Sequence, residues 1–420
     1  MESLVYITLA SFYFFIGVLV FFKNLRLLLL KVFIIVCITL PIVNFTQPYH
    51  FKYQISVYNF FFIGIYAYYF LKILISFRLS RRIIAGVILT LSLLFIYILH
   101  YIFLVNESRE LTDILKDIKP FITIATAYLF ADFFKRELRL IFSERLISGL
   151  LLINFISSSF LYYFMFKYDL NISLSGDAYY KYNELRYLSL GTYFCIFYLI
   201  SRIISGNFPS IKNLLLSIIP LLYTGNRTLI VTLFVTVSIY YLLRLSLKRI
   251  IIFFSGILVI GLGFIEMVKR AEENSALFRF KELTDIGYVM DALSNRISPF
   301  TNELHTISFT EGIFGKGLGF SFYIPWFEYR VNIENYNIYL DNLYLTLLAK
   351  FGIFSILLFV IINDYIRNYC SGNQKIFYIL FFLLLSFTNA VFYQFYFLWF
   401  LIMLVFPFLS TSKEGELNEA

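Results

Sequence analysis

Apolar stretches of about 18 or more residues recur from one end of the chain to the other, separated by short polar or charged breaks. A helix needs a run of about that length to cross the hydrocarbon core of a bilayer. Read against the breaks, the pattern predicts about thirteen spans, near residues 3–22, 27–45, 55–77, 83–105, 121–134, 146–166, 189–204, 213–224, 228–243, 250–268, 340–362, 376–389 and 391–409. The expected fold class is an all-α polytopic integral membrane protein, one transmembrane domain over residues 1–420. Its length would allow two soluble domains, but the only long polar stretch is a loop at residues 269–338.

Charge sets the expected orientation. Alternate breaks hold the cations: Lys23 and Arg26; Arg78, Arg81 and Arg82; Lys135, Arg136, Arg139 and Arg145; Arg202 and Lys212; Arg244, Lys248 and Arg249; Arg367 and Lys375. The intervening breaks are neutral, mixed or acidic, as in Asn106–Lys119 with Glu107, Glu110, Asp113 and Asp117. Cytoplasmic loops of membrane proteins carry the excess of Lys and Arg, so the first set is expected inside. The tail Ser410–Ala420 then lies inside, and the N-terminus and the loop 269–338 lie outside. The net charge of +9 is accounted for by these inner loops, and no nucleic-acid partner is expected.

Composition agrees: 60% of residues are hydrophobic, against about 45–50% in an ordinary soluble domain. Heavy Ile, Phe, Tyr, Asn and Lys usage fits an AT-rich bacterial genome. Cys37, Cys195 and Cys370 share no metal or disulfide spacing. The first apolar run, Ser3–Phe22, has no small-residue cleavage site after it and reads as a retained span.

Several kinds of chemistry are excluded by what is missing. There is no G-x-x-x-x-G-K-[ST] phosphate loop; Gly315-Lys316-Gly317-Leu318-Gly319 reads instead as a tight turn. With only His50, His100 and His305 there is no H-E-x-x-H zinc site. No D-x-D occurs to grip a pyrophosphate through a divalent cation.

What remains is arginine on the outer side, against the usual charge bias. Arg227 sits in "YTGNRTLIVT", a short turn between two apolar runs; Arg186 sits in "YNELRYLSLGT" on the outer loop Lys167–Leu188, which also carries Lys181. Arg279, Arg296 (in "LSNRISPF") and Arg330 lie in the large loop. A guanidinium forks onto phosphate oxygens and keeps its charge, so several at one interface suit an anionic ligand. The bland alternative for any one of them is snorkelling to headgroups or pairing with a loop carboxylate. Ionisable groups within spans are costly and tend to be functional; Lys350 and Asp132 are the clearest, with His100 near a span end. Lys31 and Lys72 lie close enough to the cytoplasmic side to snorkel.

Three stretches together resemble the O-antigen polymerase (Wzy) family, within the O-antigen ligase and polymerase superfamily. "YTGNRTLIVTLF" is similar to the family's small-residue/Ser-Arg-Thr turn before an apolar span. "NRISPF…EGIFGKGLGF" is similar to its loop arginine followed by the F-G-x-G-x-G turn, and "DNLYLTLLAKFGIF" to its His-Asn-x-x-Leu…Gly signature. The resemblance covers about residues 180–362. It implies an inverting, metal-independent glycosyl transfer at the outer face of a bacterial cytoplasmic (inner) membrane, with no cofactor. The donor would be an oligosaccharide on undecaprenyl pyrophosphate, and the acceptor a second lipid-linked repeat (polymerase) or lipid A-core (ligase). Membrane lipid and a chain-length regulator protein are further implied partners.

By position, the resemblance implies that Arg227 and Arg296 hold the donor pyrophosphate; Arg186, Lys181 and Arg279, cations on the outer loops, are expected to assist by the same electrostatic logic. Asp341 stands where ligases carry His, beside Asn342. A carboxylate there can deprotonate an acceptor hydroxyl, which favours polymerase over ligase; it can equally be a helix N-cap alone. Glu303 and His305, in "TNELHT", are alternative bases. Asp341, Leu345, Leu348 and Gly352 fall on one helical face, expected to line an acceptor cavity, with Lys350 roughly 13 Å deeper by helical rise. A lipid flippase is the main competing reading, against which stand the absence of a half-to-half repeat and the length of the outer loop. A non-catalytic membrane scaffold would not need clustered outer arginines.

Overall fold

The computed structural model describes residues 2–41, 55–76, 80–105, 107–141, 144–167, 187, 189–204, 209–243, 247–270, 281, 286–324, 335–369 and 374–403. Among these the chain is mostly helical. The first half contributes α1 (Glu2–Leu19), α2 (Lys23–Thr39), α3 (Phe62–Ser76), α4 (Arg81–Leu104), α5 (Leu111–Phe133), α6 (Lys135–Ile141), α7 (Glu144–Lys167) and α8 (Leu190–Ile204). It continues through α9 (Ile211–Tyr223), α10 (Arg227–Leu243), α11 (Leu247–Lys269), α12 (Ile286–Leu304) and α13 (Phe309–Phe314). The last part holds α14 (Leu343–Phe351), α15 (Ile356–Tyr369) and α16 (Gln374–Thr388). Two short strands, β1 (Phe322–Tyr323) and β2 (Tyr336–Asn337), pair antiparallel with Phe322 opposite Asn337 and Tyr323 opposite Tyr336.

Among the described residues, three helices are long and apolar enough to cross a membrane: Val57–Ser76, Ile83–Leu104 and Leu146–Phe164. Their outward faces are apolar. Phe70, Ile75, Ile88, Phe95, Phe103, Ile156 and Phe160 are all more than half exposed, a surface that water would penalise and an apolar surrounding would not. Shorter apolar helices include Ser3–Leu19, Leu190–Ile203, Ile211–Tyr223, Arg227–Leu243 and Lys375–Thr388.

The helices meet around a core rich in aromatic rings. Phe33 stacks on Phe61 with ring centroids 3.9 Å apart, and Phe61 on Phe134 at 6.0 Å. The segment leading into α3 can approach α1 closely because Gly17 faces the Phe61 backbone and Gly64 faces that of Gly17; a Cβ on Gly64 would lie 1.6 Å from the Gly17 carbonyl oxygen. Small residues at a helix crossing allow that approach.

Several contacts join segments distant in sequence. The Tyr6 hydroxyl donates to the Ile55 carbonyl, and Pro41 bridges Ser189. Arg109 donates to Gly317 and Leu318, and Asn389 to Thr228. Arg109, Gly317 and Leu318 belong to breaks expected outside, and the other residues to the ends of spans expected on that side. Arg26 and Glu137, 3.6 Å apart, join two segments expected inside.

Two elements differ from the sequence expectation. The single span expected at 340–362 is two helices, α14 and α15, separated by Gly352 and a turn of 3-10 helix at Ile353–Ser355. Gly352 has φ +59° and ψ −157°, a conformation essentially reserved for glycine, and a Cβ there would lie 2.2 Å from the Ile313 carbonyl oxygen. The acidic break at 106–119 is helical from Leu111 onward, continuous with the span expected at 121–134. Asp113 in its first turn suits the positive end of the helix dipole, and Asp117 has a counter-charge that sequence distance conceals.

Candidate functional site

That counter-charge is Lys350, 233 residues away. Its Nζ lies 2.5 Å and 2.7 Å from the two carboxylate oxygens of Asp117, and both side chains are fully buried. Lys350 sits on the inward side of α14 with Leu343, Thr346 and Leu347, whereas Leu348 faces outward. Lys350 thus points into the protein, away from the face expected to carry Asp341, Leu345, Leu348 and Gly352.

Asp117 also accepts the Gly319 N–H at 2.7 Å, which ties the glycine turn of the large loop to α5. The same turn is held from three further directions. Lys316 and Gly317 donate their N–H groups to the carbonyls of Ala349 and Lys350, at 2.8 and 2.9 Å. Arg109 donates to the carbonyls of Gly317 and Leu318, at 3.0 and 2.9 Å. The Lys316 ammonium binds Glu303 of α12 and donates to the Thr306 hydroxyl at 3.1 Å. Gly315, Gly317 and Gly319 all have positive φ, and a Cβ on Gly315 would lie 2.1 Å from the Lys350 carbonyl carbon. The glycines are there so that one backbone can lie against another.

Above this anchored turn stand Arg296 and Asp341. Arg296 Nε lies 3.8 Å from Asp341 Oδ2, with about a quarter of the arginine side chain and half of the carboxylate exposed. Arg296 and Glu303 are two helical turns apart on α12, so one face of that helix reaches both Asp341 and the glycine turn. Between them Phe300 is buried in a small apolar cluster with Phe322, Ile324, Leu340 and Ala349.

The backbone around Asp341 is fixed on both sides. Asn342, and not Asp341, is the N-cap of α14: its side-chain oxygen accepts the Leu345 N–H at 3.1 Å. Thr346 accepts the Leu340 N–H at 2.9 Å and donates to the Asn342 carbonyl at 2.8 Å. With the capping duty taken by its neighbour, Asp341 is turned toward solvent and Arg296.

The Arg227 turn joins the same region indirectly. Gly225 has φ +55°, Asn226 caps α10 by accepting the Leu229 N–H at 3.2 Å, and Asn389 donates to the Thr228 hydroxyl at 3.1 Å. The turn that follows Asn389 carries Tyr393, whose ring stacks on Tyr339 with centroids 5.3 Å apart, two residues before Asp341. One turn, 389–393, thus braces both the Arg227 segment and the Asp341 segment. The Tyr187 N–H donates to the Tyr223 carbonyl at 2.9 Å, which brings the residue after Arg186 to the end of α9, four residues before Arg227.

Of the residues singled out from sequence, Arg296 and Asp341 meet directly, Asn342 follows as the cap of α14, and the turn that carries Arg227 is tied in through the Asn389–Thr228 bond. Glu303 is engaged by Lys316, and His305 is exposed on the loop. Lys181, Arg186, Arg279 and Arg330 lie outside the described residues. Sequence reasoning gave no role to Asp117, Arg109 or Asn389. A carboxylate flanking an apolar run was the available sign for Asp117; nothing local marks the other two.

The family DUF6369, described as a family of unknown function, matches residues 123–419. No curated protein matches the chain.

Proposed function

The chain belongs to this family of unknown function, and we propose that it is a polytopic membrane glycosyltransferase of about thirteen spans. In this reading it polymerises oligosaccharide repeats carried on undecaprenyl pyrophosphate, at the outer face of the bacterial cytoplasmic membrane. The observation that carries the reading is the meeting of Arg296 with Asp341. The loop arginine and the carboxylate that precedes α14 are far apart in sequence, and they are the two positions that the polymerase resemblance marks for donor and acceptor.

The chemistry needs few parts. The acceptor's sugar hydroxyl oxygen attacks the donor's anomeric carbon, forming the new glycosidic bond. The bond from that carbon to the phosphate oxygen breaks, and its electron pair leaves with undecaprenyl pyrophosphate. Asp341 takes the hydroxyl proton and returns it to water. Arg296 and Arg227 stabilise the charge that grows on the leaving phosphate, usually the largest contribution to such a transfer. The leaving group is already activated, so no nucleotide sugar and no metal enters the scheme.

Deletion of the gene tests this. A polymerase leaves lipid A-core capped with a single repeat and no long-chain ladder. Loss of every repeat with lipid-linked repeats accumulating at the outer face indicates a ligase; accumulation at the inner face indicates a flippase. An unchanged ladder overturns the reading.

A further inference from the structure

The protein contains two very different kinds of ion pair. Lys350 and Asp117 share hydrogen bonds of 2.5 and 2.7 Å in full burial. Arg296 and Asp341 are 3.8 Å apart and partly exposed, beyond hydrogen-bond range, so the contact between these two groups is one of charge attraction. At that distance in a solvated setting, attraction of this kind is worth about a fivefold preference.

We infer that Arg296 and Asp341 are exchange partners: a pyrophosphate ligand takes Arg296 from Asp341, and the released carboxylate then serves the acceptor. This rests on the polymerase reading of the site. A pyrophosphate carries more charge than one carboxylate and presents oxygens that suit the guanidinium fork, so it outcompetes a contact without a shared proton.

The surroundings make the exchange a matter of side chains. Phe300 is buried in the apolar cluster below, and Lys316 binds Glu303 farther along α12. Asp341 is held by its neighbours, through Thr346 and the Asn342 cap. Neither backbone has to move for the guanidinium to turn from carboxylate to phosphate. The consequence is an order of binding: the base stays neutralised by Arg296 until a donor arrives, so the acceptor hydroxyl is activated only when a leaving group is in place.

The test uses the full chain purified in detergent, with inorganic pyrophosphate as the probe and binding read by titration calorimetry. Asp341→Asn, which removes the competitor, is expected to tighten pyrophosphate about fivefold; Asp341→Ala, a second route to the same loss of charge, does the same. Asp341→Glu keeps the competing charge and binds as the unaltered chain does. Arg296→Ala weakens binding. If the unaltered chain binds and Arg296→Ala does not, while both neutral variants bind no tighter than the unaltered chain, exchange is overturned and the donor clamp stands. If neither the unaltered chain nor the neutral variants bind pyrophosphate, both fall.

Discussion

Lys350 and Asp117 form a closed, buried pair that fastens the large loop to the helices beneath it. The lysine donates to both carboxylate oxygens, and the carboxylate accepts the Gly319 N–H as well. Breaking such a pair from one side leaves a buried charge uncompensated, which costs about 3–5 kcal/mol. Lys350→Met and Asp117→Asn are each expected to lower the thermal midpoint of the detergent-solubilised protein sharply. The double variant recovers most of the loss, since the asparagine side chain retains an oxygen for the Gly319 N–H and no charge is stranded. Additive losses in the double variant would contradict this account of the pair.

The glycine turn yields a prediction with an internal control. Gly315 and Gly352 adopt conformations costing other residues about 1–3 kcal/mol, and a Cβ on either would meet backbone, at 2.1 and 2.2 Å. Alanine at either position is expected to release the loop from α14, seen as faster proteolysis within residues 286–324. Gly312→Ala, where an added Cβ meets nothing within 4 Å, leaves proteolysis unchanged. Equal effects at all three positions would show that the close approach does not matter.

Asn389 offers a way to disturb the Arg227 turn without touching its charge. The bond from Asn389 to Thr228 is a neutral one, worth about 0.5–1.5 kcal/mol. Asn389→Ala should therefore slow polymer formation by roughly two- to tenfold at unchanged expression. Arg227→Lys keeps the charge but not the planar fork, and polymer should fall at least as far. Full activity in both variants would remove the Arg227 segment from the site.

Glu311 gives the loop an acid-side dependence. It forms a capping box with Ser308 at the start of α13, accepting the Ser308 N–H at 2.7 Å. Partial burial works against its charge, but the hydrogen bonds from Ser308 and the nearby Lys316 and Arg109 cations hold its pKa below the ordinary carboxylate value. A depressed folded pKa stabilises α13 above the unfolded value of about 4.3, and that support is lost as pH falls through the folded value. Protection of the 309–314 amides against hydrogen exchange, relative to their intrinsic rates at each pH, should fall below about pH 4. Glu311→Gln should exchange faster at neutral pH and lose most of this acid-side change.

The helices and their apolar outward faces were legible in the sequence because runs of about 18 apolar residues have few other uses. The tight turn at Gly315–Gly319 was legible too, since three glycines in five residues break a local rule. What the sequence concealed were relations between distant positions. Asp117 looked like one of several acidic residues in a polar break, and Lys350 like an awkward charge in a span, until folding set them against each other. Gly352 passed for an ordinary residue within a span because its effect depends on the Ile313 backbone packed against it. Asp341 was open to reading as a mere cap; Asn342 takes that duty because its side chain, not its neighbour's, reaches the Leu345 N–H.

Reconstitution tests the central claim most directly. The purified chain is placed in vesicles with lipid-linked repeats extracted from cells lacking the gene, in chelator and without nucleotide sugar. A ladder of lipid-linked polymers is expected, with matching release of undecaprenyl pyrophosphate, absent with Arg296→Ala and with Asp341→Asn. Repeats that stay single with the unaltered chain, or a ladder that persists in both variants, would contradict the polymerase reading.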